Sequence, residues 1–156
     1  MKIYQFAYGS GSVSLPLEEK NVLAELHGNT VEPVRDIRQA LWTSLDVPIG
    51  SAPLYERVTP GSTVALVVSD MSRFWMRQDL VVPHLVDYLT QRCGVRERDI
   101  TIVIANGTHD GGGEAELRTL VTDAVYDRVR VENHNCKADD LVYLGITPHG
   151  THVRIN

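Results

Sequence analysis

The stretch Thr101-Ile102-Val103-Ile104-Ala105-Asn106-Gly107-Thr108-His109 does most to set what this chain can fold into. Its first half is apolar and mostly β-branched, the composition of a strand buried on both faces of a parallel sheet. Asn106-Gly107 then breaks the run. Glycine allows the sharp turn that presents Thr108 and His109 just past the strand's carboxyl end. In open α/β sheets ligands bind at that edge, and an imidazole held there is suited to proton transfer near neutral pH.

Thr63-Val64-Ala65-Leu66-Val67-Val68 repeats the design and ends in Ser69-Asp70-Met71-Ser72-Arg73. Leu80, Val81, Leu85, Val86 and Leu89 follow at helical spacing, and Gly94 suits a left-handed stop after Cys93. Pro83 within that pattern predicts a kink or a late helix start. Strand, polar loop, helix and strand make a βαβ unit with a right-handed crossover. Both polar loops then leave the same sheet edge. Asp70, Arg73 and His109 are therefore expected to line one concave surface, where Arg73 could clamp a carboxylate at two points.

Around this unit the elements are shorter. Met1 to Tyr8 and Val13 to Leu15 flank Gly9-Ser10-Gly11-Ser12, a hairpin pattern. Val22 to Leu26 reads as a further short strand. Pro33 suits the first turn of a helix carrying Val34, Ile37, Leu41 and Leu45, with Trp42 packed in the core and a stop before Asp46-Val47-Pro48. Pro53 to Arg57 reads as a short helix. Asp110-Gly111-Gly112-Gly113 reads as backbone that is flexible unless something holds it, and that can approach a ligand closely. Glu114 to Val121 predicts a helix, Thr122 the N-cap of another through Tyr126, and Arg128 to Glu132 a third strand ending in Asn133-His134-Asn135. Leu141 to Leu144 and Thr151 to Ile155 form a closing hairpin. The fold class is α/β: a parallel β-sheet core with flanking helices, Rossmann-like and three-layered, with β-hairpins at the termini.

At 156 residues the chain is expected to be a single domain over 1–156. A net charge of −5 with no basic face argues against nucleic-acid binding. No apolar run is long enough to span a bilayer. Cys93 and Cys136 fit no C-x-x-C pattern, which points to a reducing cytoplasm. His134-Asn135-Cys136 and His149-Gly150-Thr151-His152 match no common zinc module, so no metal ligand is assigned. Phosphate-loop, dinucleotide and nucleophile-elbow motifs are absent.

Ala40-Leu41 with Pro48-Ile49-Gly50-Ser51, then Ser69-Asp70-Met71-Ser72-Arg73, Asn106-Gly107-Thr108-His109, Glu116-Leu117 and Leu144-Gly145-Ile146-Thr147-Pro148-His149-Gly150-Thr151 together resemble the N-terminal region of the nickel-dependent lactate racemase family. The resemblance spans roughly Val34 to Asn156. It implies an α-hydroxy acid racemase or epimerase working by proton-coupled hydride transfer to a nickel-pincer nucleotide cofactor. His109 matches one of two histidines that alternate as proton acceptors. Ser69, Asp70, Ser72, Arg73, Gly107 and Thr108 fall on positions lining the substrate and cofactor cleft.

Two departures stand out: Asp110-Gly111 follows the histidine where the family usually has Arg-Pro, and Phe74 replaces a common proline. The cofactor-bearing lysine, the nickel ligand and the second histidine lie beyond the matched region. The chain ends as if in mid-domain, so it is expected to be the first part of a longer protein's N-terminal domain. Alone it is expected to be inactive and free of cofactor, completed by the missing C-terminal part, and able to form homo-oligomers through exposed apolar surface. The alternative is a non-enzymatic module that binds small anions in the same cleft.

Overall fold

The computed structural model describes residues 1–155, and Asn156, where the expected match ends, lies outside them. The chain forms two compact units, Met1–Pro33 and Val34–Asn156.

In the first unit β1 (Lys2–Tyr8) and β2 (Gly11–Leu17) pair antiparallel, with Tyr8 opposite Gly11. The two-residue turn between them opens on Gly9 at φ 57°, the positive φ that tight hairpin turns demand. The strand expected at Val22 to Leu26 does not form. Glu19–Asn21 makes a single 3₁₀ turn instead, and the residues after it are irregular. Leu23 and Leu26 are fully or almost fully exposed. An apolar run with neither a partner strand nor a core to face gains nothing from extending.

The second unit holds the sheet. β3 (Val64–Ser69), β4 (Ile100–Ala105) and β5 (Arg130–Asn133) are parallel, in the order β3-β4-β5. Val64, Leu66 and Val68 register with Ile100, Ile102 and Ile104, and Ile102 in turn with Val131. These side chains share one face. Against it pack Val82, Val86 and Leu89 of α3 (Val82–Gln91), Leu117, Leu120 and Val121 of α4 (Glu114–Val121), and Val125 of α5 (Asp123–Tyr126). Each large aliphatic side chain buried there contributes roughly 1.5–3 kcal/mol. On the opposite face Ala65 and Val67 are exposed.

α1 (Ile37–Asp46) starts later than Pro33, a correction with a plain cause. The Asp36 carboxylate accepts the Gln39 N–H at 2.8 Å and so caps the helix three residues on. Trp42 packs as expected: its indole N–H donates to the His84 carbonyl at 3.1 Å and its ring meets Tyr88 edge-on. α2 (Leu54–Arg57) also forms. Pro83 sits in the first turn of α3, giving the late start. Gly94, at φ 73°, lies where a Cβ would come within 2.9 Å of Pro60. β5 begins two residues later than expected, because the Arg128 and Val129 amides still bond the Val125 carbonyl. β6 (Val142–Ile146) and β7 (His152–Ile155) close as a bulged hairpin. No helix among the described residues is long and apolar enough to cross a membrane.

Thr122 corrects a further expectation. It stands between α4 and α5, but its hydroxyl caps nothing and is buried without a hydrogen-bond partner among the described residues. Its backbone, at φ 77° and ψ 151°, occupies a region that glycine alone adopts without strain. Thr122→Gly is expected to raise stability by about 1 kcal/mol, relief of strain outweighing glycine's greater unfolded-state entropy. A shift of the urea midpoint to higher concentration checks this; a lower midpoint would refute it.

Candidate functional site

β3 is an edge strand, and its last residue is fastened from outside the sheet. The Ser69 N–H donates to Gln78 Oε1 at 3.1 Å, while Gln78 Nε2 donates to the Ser69 carbonyl at 2.6 Å. Ser69 thus serves through its backbone, fixing the direction in which the chain leaves the strand. Asp70 follows, only 9% exposed, and a 3₁₀ helix runs over Met71–Met76. The Ser72 hydroxyl donates to Asp70 Oδ1 at 2.6 Å. His109 Nδ1 lies 2.5 Å from Asp70 Oδ2. Residues 39 apart in sequence therefore meet across the sheet edge, as the βαβ reading requires.

β4 places His109 through a tight turn. Gly107 takes φ 59°, Thr108 is exposed beside it, and the His109 amide closes on the Asn106 carbonyl at 3.0 Å. Asn106 is buried; its Nδ2 donates to Asn133 Oδ1 and to the His134 carbonyl. Asn133 Nδ2 in turn donates to the Gly112 carbonyl at 2.8 Å. Two side-chain amides, the buried Asn106 and the half-buried Asn133, one at the end of each of two neighbouring strands, brace the loop that carries the imidazole. Reading the sequence treats Asn106 only as a strand breaker. The usable signal is that both strands end in asparagine.

The glycine run is held as well, by Asn133 and Glu116. A Cβ on Gly111 would fall 2.6 Å from the Asn133 side chain, and one on Gly112 2.2 Å from Glu116. These glycines are needed for close approach to the protein itself. Lys137 Nζ lies 3.3 Å from Asp110.

The electrostatics are directional. Hydrogen bonds from His109 first and Ser72 second hold the Asp70 carboxyl below the ordinary aspartate range, against the cost of its burial, with the charge of Arg73 adding a little. Among the described residues the Arg73 guanidinium has no hydrogen bond or ion pair, and the side chain is exposed. An ionised Asp70 keeps the proton of a neutral His109 on Nδ1 and leaves the Nε2 lone pair outward. The imidazole is 60% exposed, so a ligand can reach that atom. The group is an oriented base beside an uncommitted cation.

Because its folded value is depressed, Asp70 stabilises the fold fully above the ordinary aspartate pKa of about 4, and less as pH falls through the folded value. The stability difference between the parent and Asp70→Asn is expected to shrink as pH falls through the folded aspartate value and to vanish in strong acid. Urea midpoints measured across that range check it. A difference that persists undiminished in strong acid would contradict the pairing.

No cluster of three His, Cys, Asp or Glu side chains able to hold a metal ion occurs among the described residues. Lys2, Lys20 and Lys137 pair with Glu25, Glu18 and Asp110.

Residues 8–156 match the family model of the lactate racemase N-terminal domain. The chain belongs to that family. The solved structure of the lactate racemase apoprotein from Thermoanaerobacterium thermosaccharolyticum superposes with a TM-score of 0.81 at 18% identity. The match covers 99% of this chain and 36% of that one, and it shows the shared fold. The chain thus spans about a third of that relative's length. No curated protein matches it. The motif resemblance read from Ala40 to Thr151 is borne out at the level of family and fold.

Proposed function

We propose that this chain is the N-terminal part of an α-hydroxy acid racemase or epimerase, with His109 as a proton acceptor for the substrate hydroxyl. The observation that supports this most is the 2.5 Å contact between His109 Nδ1 and Asp70, which aims Nε2 outward. Nε2 takes the hydroxyl proton, and Asp70 stabilises the imidazolium that forms. Arg73 grips the substrate carboxylate with its planar fork, holding the hydroxyl toward His109. Gly107 and Thr108 shape the turn beneath the ring, and Ser69 and Ser72 keep Asp70 in place.

The resemblance implies a nickel-pincer nucleotide that accepts and returns hydride at the α-carbon. Among the described residues no group of three His, Cys, Asp or Glu side chains would hold its metal. We therefore assign it, together with the second proton acceptor, to a region of the longer family protein outside this chain. No step of the proton chemistry above depends on it. The fact that Cys93 and Cys136 are both free supports a cytoplasmic setting.

The test supplies cofactor to the family-length protein and follows one enantiomer of lactate and of larger α-hydroxy acids by chiral chromatography. Interconversion is expected there and not with the 156-residue chain. Tight binding of every acid without interconversion would favour the non-enzymatic anion-binding module. Turnover by the short chain alone would overturn the assignment of the cofactor to a missing region.

A further inference from the structure

His109 stands at the centre of a loop whose two ends are fastened to one side chain of another strand. Asn106 lies three residues before it and Gly112 three residues after it. Asn133, the last residue of β5, reaches both ends. Its Nδ2 donates to the Gly112 carbonyl at 2.8 Å, and its Oδ1 accepts from Asn106 Nδ2 at 2.9 Å. The pattern admits no flip of either carboxamide. A backbone carbonyl only accepts, so Asn133 must turn its NH₂ toward Gly112 and its oxygen toward Asn106. Asn106 must likewise turn its NH₂ toward the His134 carbonyl, 3.1 Å away. Beside this staple the chain has no slack. The His109 amide closes on the Asn106 carbonyl at 3.0 Å, and a Cβ on Gly111 would fall 2.6 Å from Asn133 Cγ. The imidazole takes no part in these bonds and meets Asp70 across the sheet edge.

We propose that Asn133 is a positioning residue of the proton-transfer site. By stapling both ends of the Asn106–Gly112 loop it sets the imidazole against Asp70, and so decides which ring nitrogen is left to accept a proton. The inference rests on the proposed function and adds to it a control exerted from the third strand. β3 supplies the carboxylate and β4 the base, and β5 sets how they meet. A neutral carboxamide suits this task. It donates and accepts at once, and it adds no charge that would compete with Asp70 for the imidazole.

The test follows two groups of the 156-residue chain: the ring proton of the neutral His109 imidazole by nitrogen NMR, and the Asp70 carboxyl by carbon NMR titration. In the parent the proton is expected on Nδ1. The Asp70 carboxyl is expected below the ordinary aspartate range, with His109 the first cause. Asn133→Ala releases both loop ends, so the proton should spread to Nε2 and the Asp70 carboxyl should climb toward its ordinary value. A loss of stability alone would move neither. Gly111→Ala is a second route to the same result, because its methyl pushes against the Asn133 carboxamide. Lys137→Ala removes an exposed ion pair with Asp110 and should change neither readout. An effect equal to that of Asn133→Ala would overturn the inference. In the cofactor-loaded, family-length protein Asn133→Ala is expected to lower kcat about 10²-fold, the scale of a misplacement of about 1 Å. KM should change little, because Arg73 still grips the substrate carboxylate. An unmoved ring proton and Asp70 titration in both Asn133→Ala and Gly111→Ala would overturn the inference and leave the proposed function standing. A displaced ring proton with kcat unchanged would keep Asn133 in its role and overturn His109 as the proton acceptor.

Discussion

In the cofactor-loaded, family-length protein, His109→Ala is expected to lower kcat by about 10²–10⁴-fold, the usual worth of a positioned general base. The imidazole is 60% exposed and bonds only through Asp70 on its inner side, so its loss leaves the core untouched. Asp70→Asn is the sharper version of the same experiment. An asparagine amide fills the same space and still accepts from Ser72 when its oxygen takes the Oδ1 position. Its NH₂ then faces Nδ1 and forces the ring proton onto Nε2, the atom that must accept. With base and fold both present and the tautomer wrong, kcat is expected to fall by as much as about 10⁴. Racemisation of a single enantiomer measures both losses, and circular dichroism of each variant controls for folding. Activity within a few-fold of the parent in Asp70→Asn would show that Asp70 does not orient the base.

Ile102→Ala is expected to have the largest effect on stability, about 2–5 kcal/mol. Ile102 is fully buried at the middle of the central strand, registered between Leu66 and Val131. Truncation opens a cavity beneath α3 and α4 that close-packed neighbours fill poorly. Against a total of about 5–15 kcal/mol for a domain of ordinary stability, that loss leaves a measurable unfolded fraction. Val67→Ala on the opposite sheet face is the control. Val67 is 63% exposed, and its truncation should change the urea midpoint little. Equal shifts for the two variants would mean that the buried face does not dominate the stability of this unit.

What the sequence disclosed follows the physics of each segment. The two β-branched runs read correctly as parallel strands, whose apolar signature is continuous, but burial on both faces does not hold: Ala65 and Val67 are exposed. The meeting of Asp70 with His109 was legible through the handedness of one crossover. Val22 to Leu26 misled because apolarity alone does not supply a partner strand. The α1 start was missed by weighting Pro33 above Asp36, although a capping carboxylate is the stronger local signal. Thr122 resembles a cap in sequence, and only its backbone angles reveal otherwise. Asn106, Asn133 and Gln78 stayed out of view because their roles depend on register between distant segments, which no local pattern encodes. The glycine run was read as room for a ligand when its room is taken by Asn133 and Glu116.

Gln78 has a bearing on how this sheet meets other molecules. A bare strand edge is a template on which foreign strands can grow, and β3 is such an edge. By filling both backbone groups of Ser69, the Gln78 carboxamide acts as a single facing residue would and ends the template there. A strand adding along β3 must stop short of the loop that leads to His109. Intermolecular β-pairing at this edge and entry of a ligand to the imidazole therefore do not compete for the same backbone.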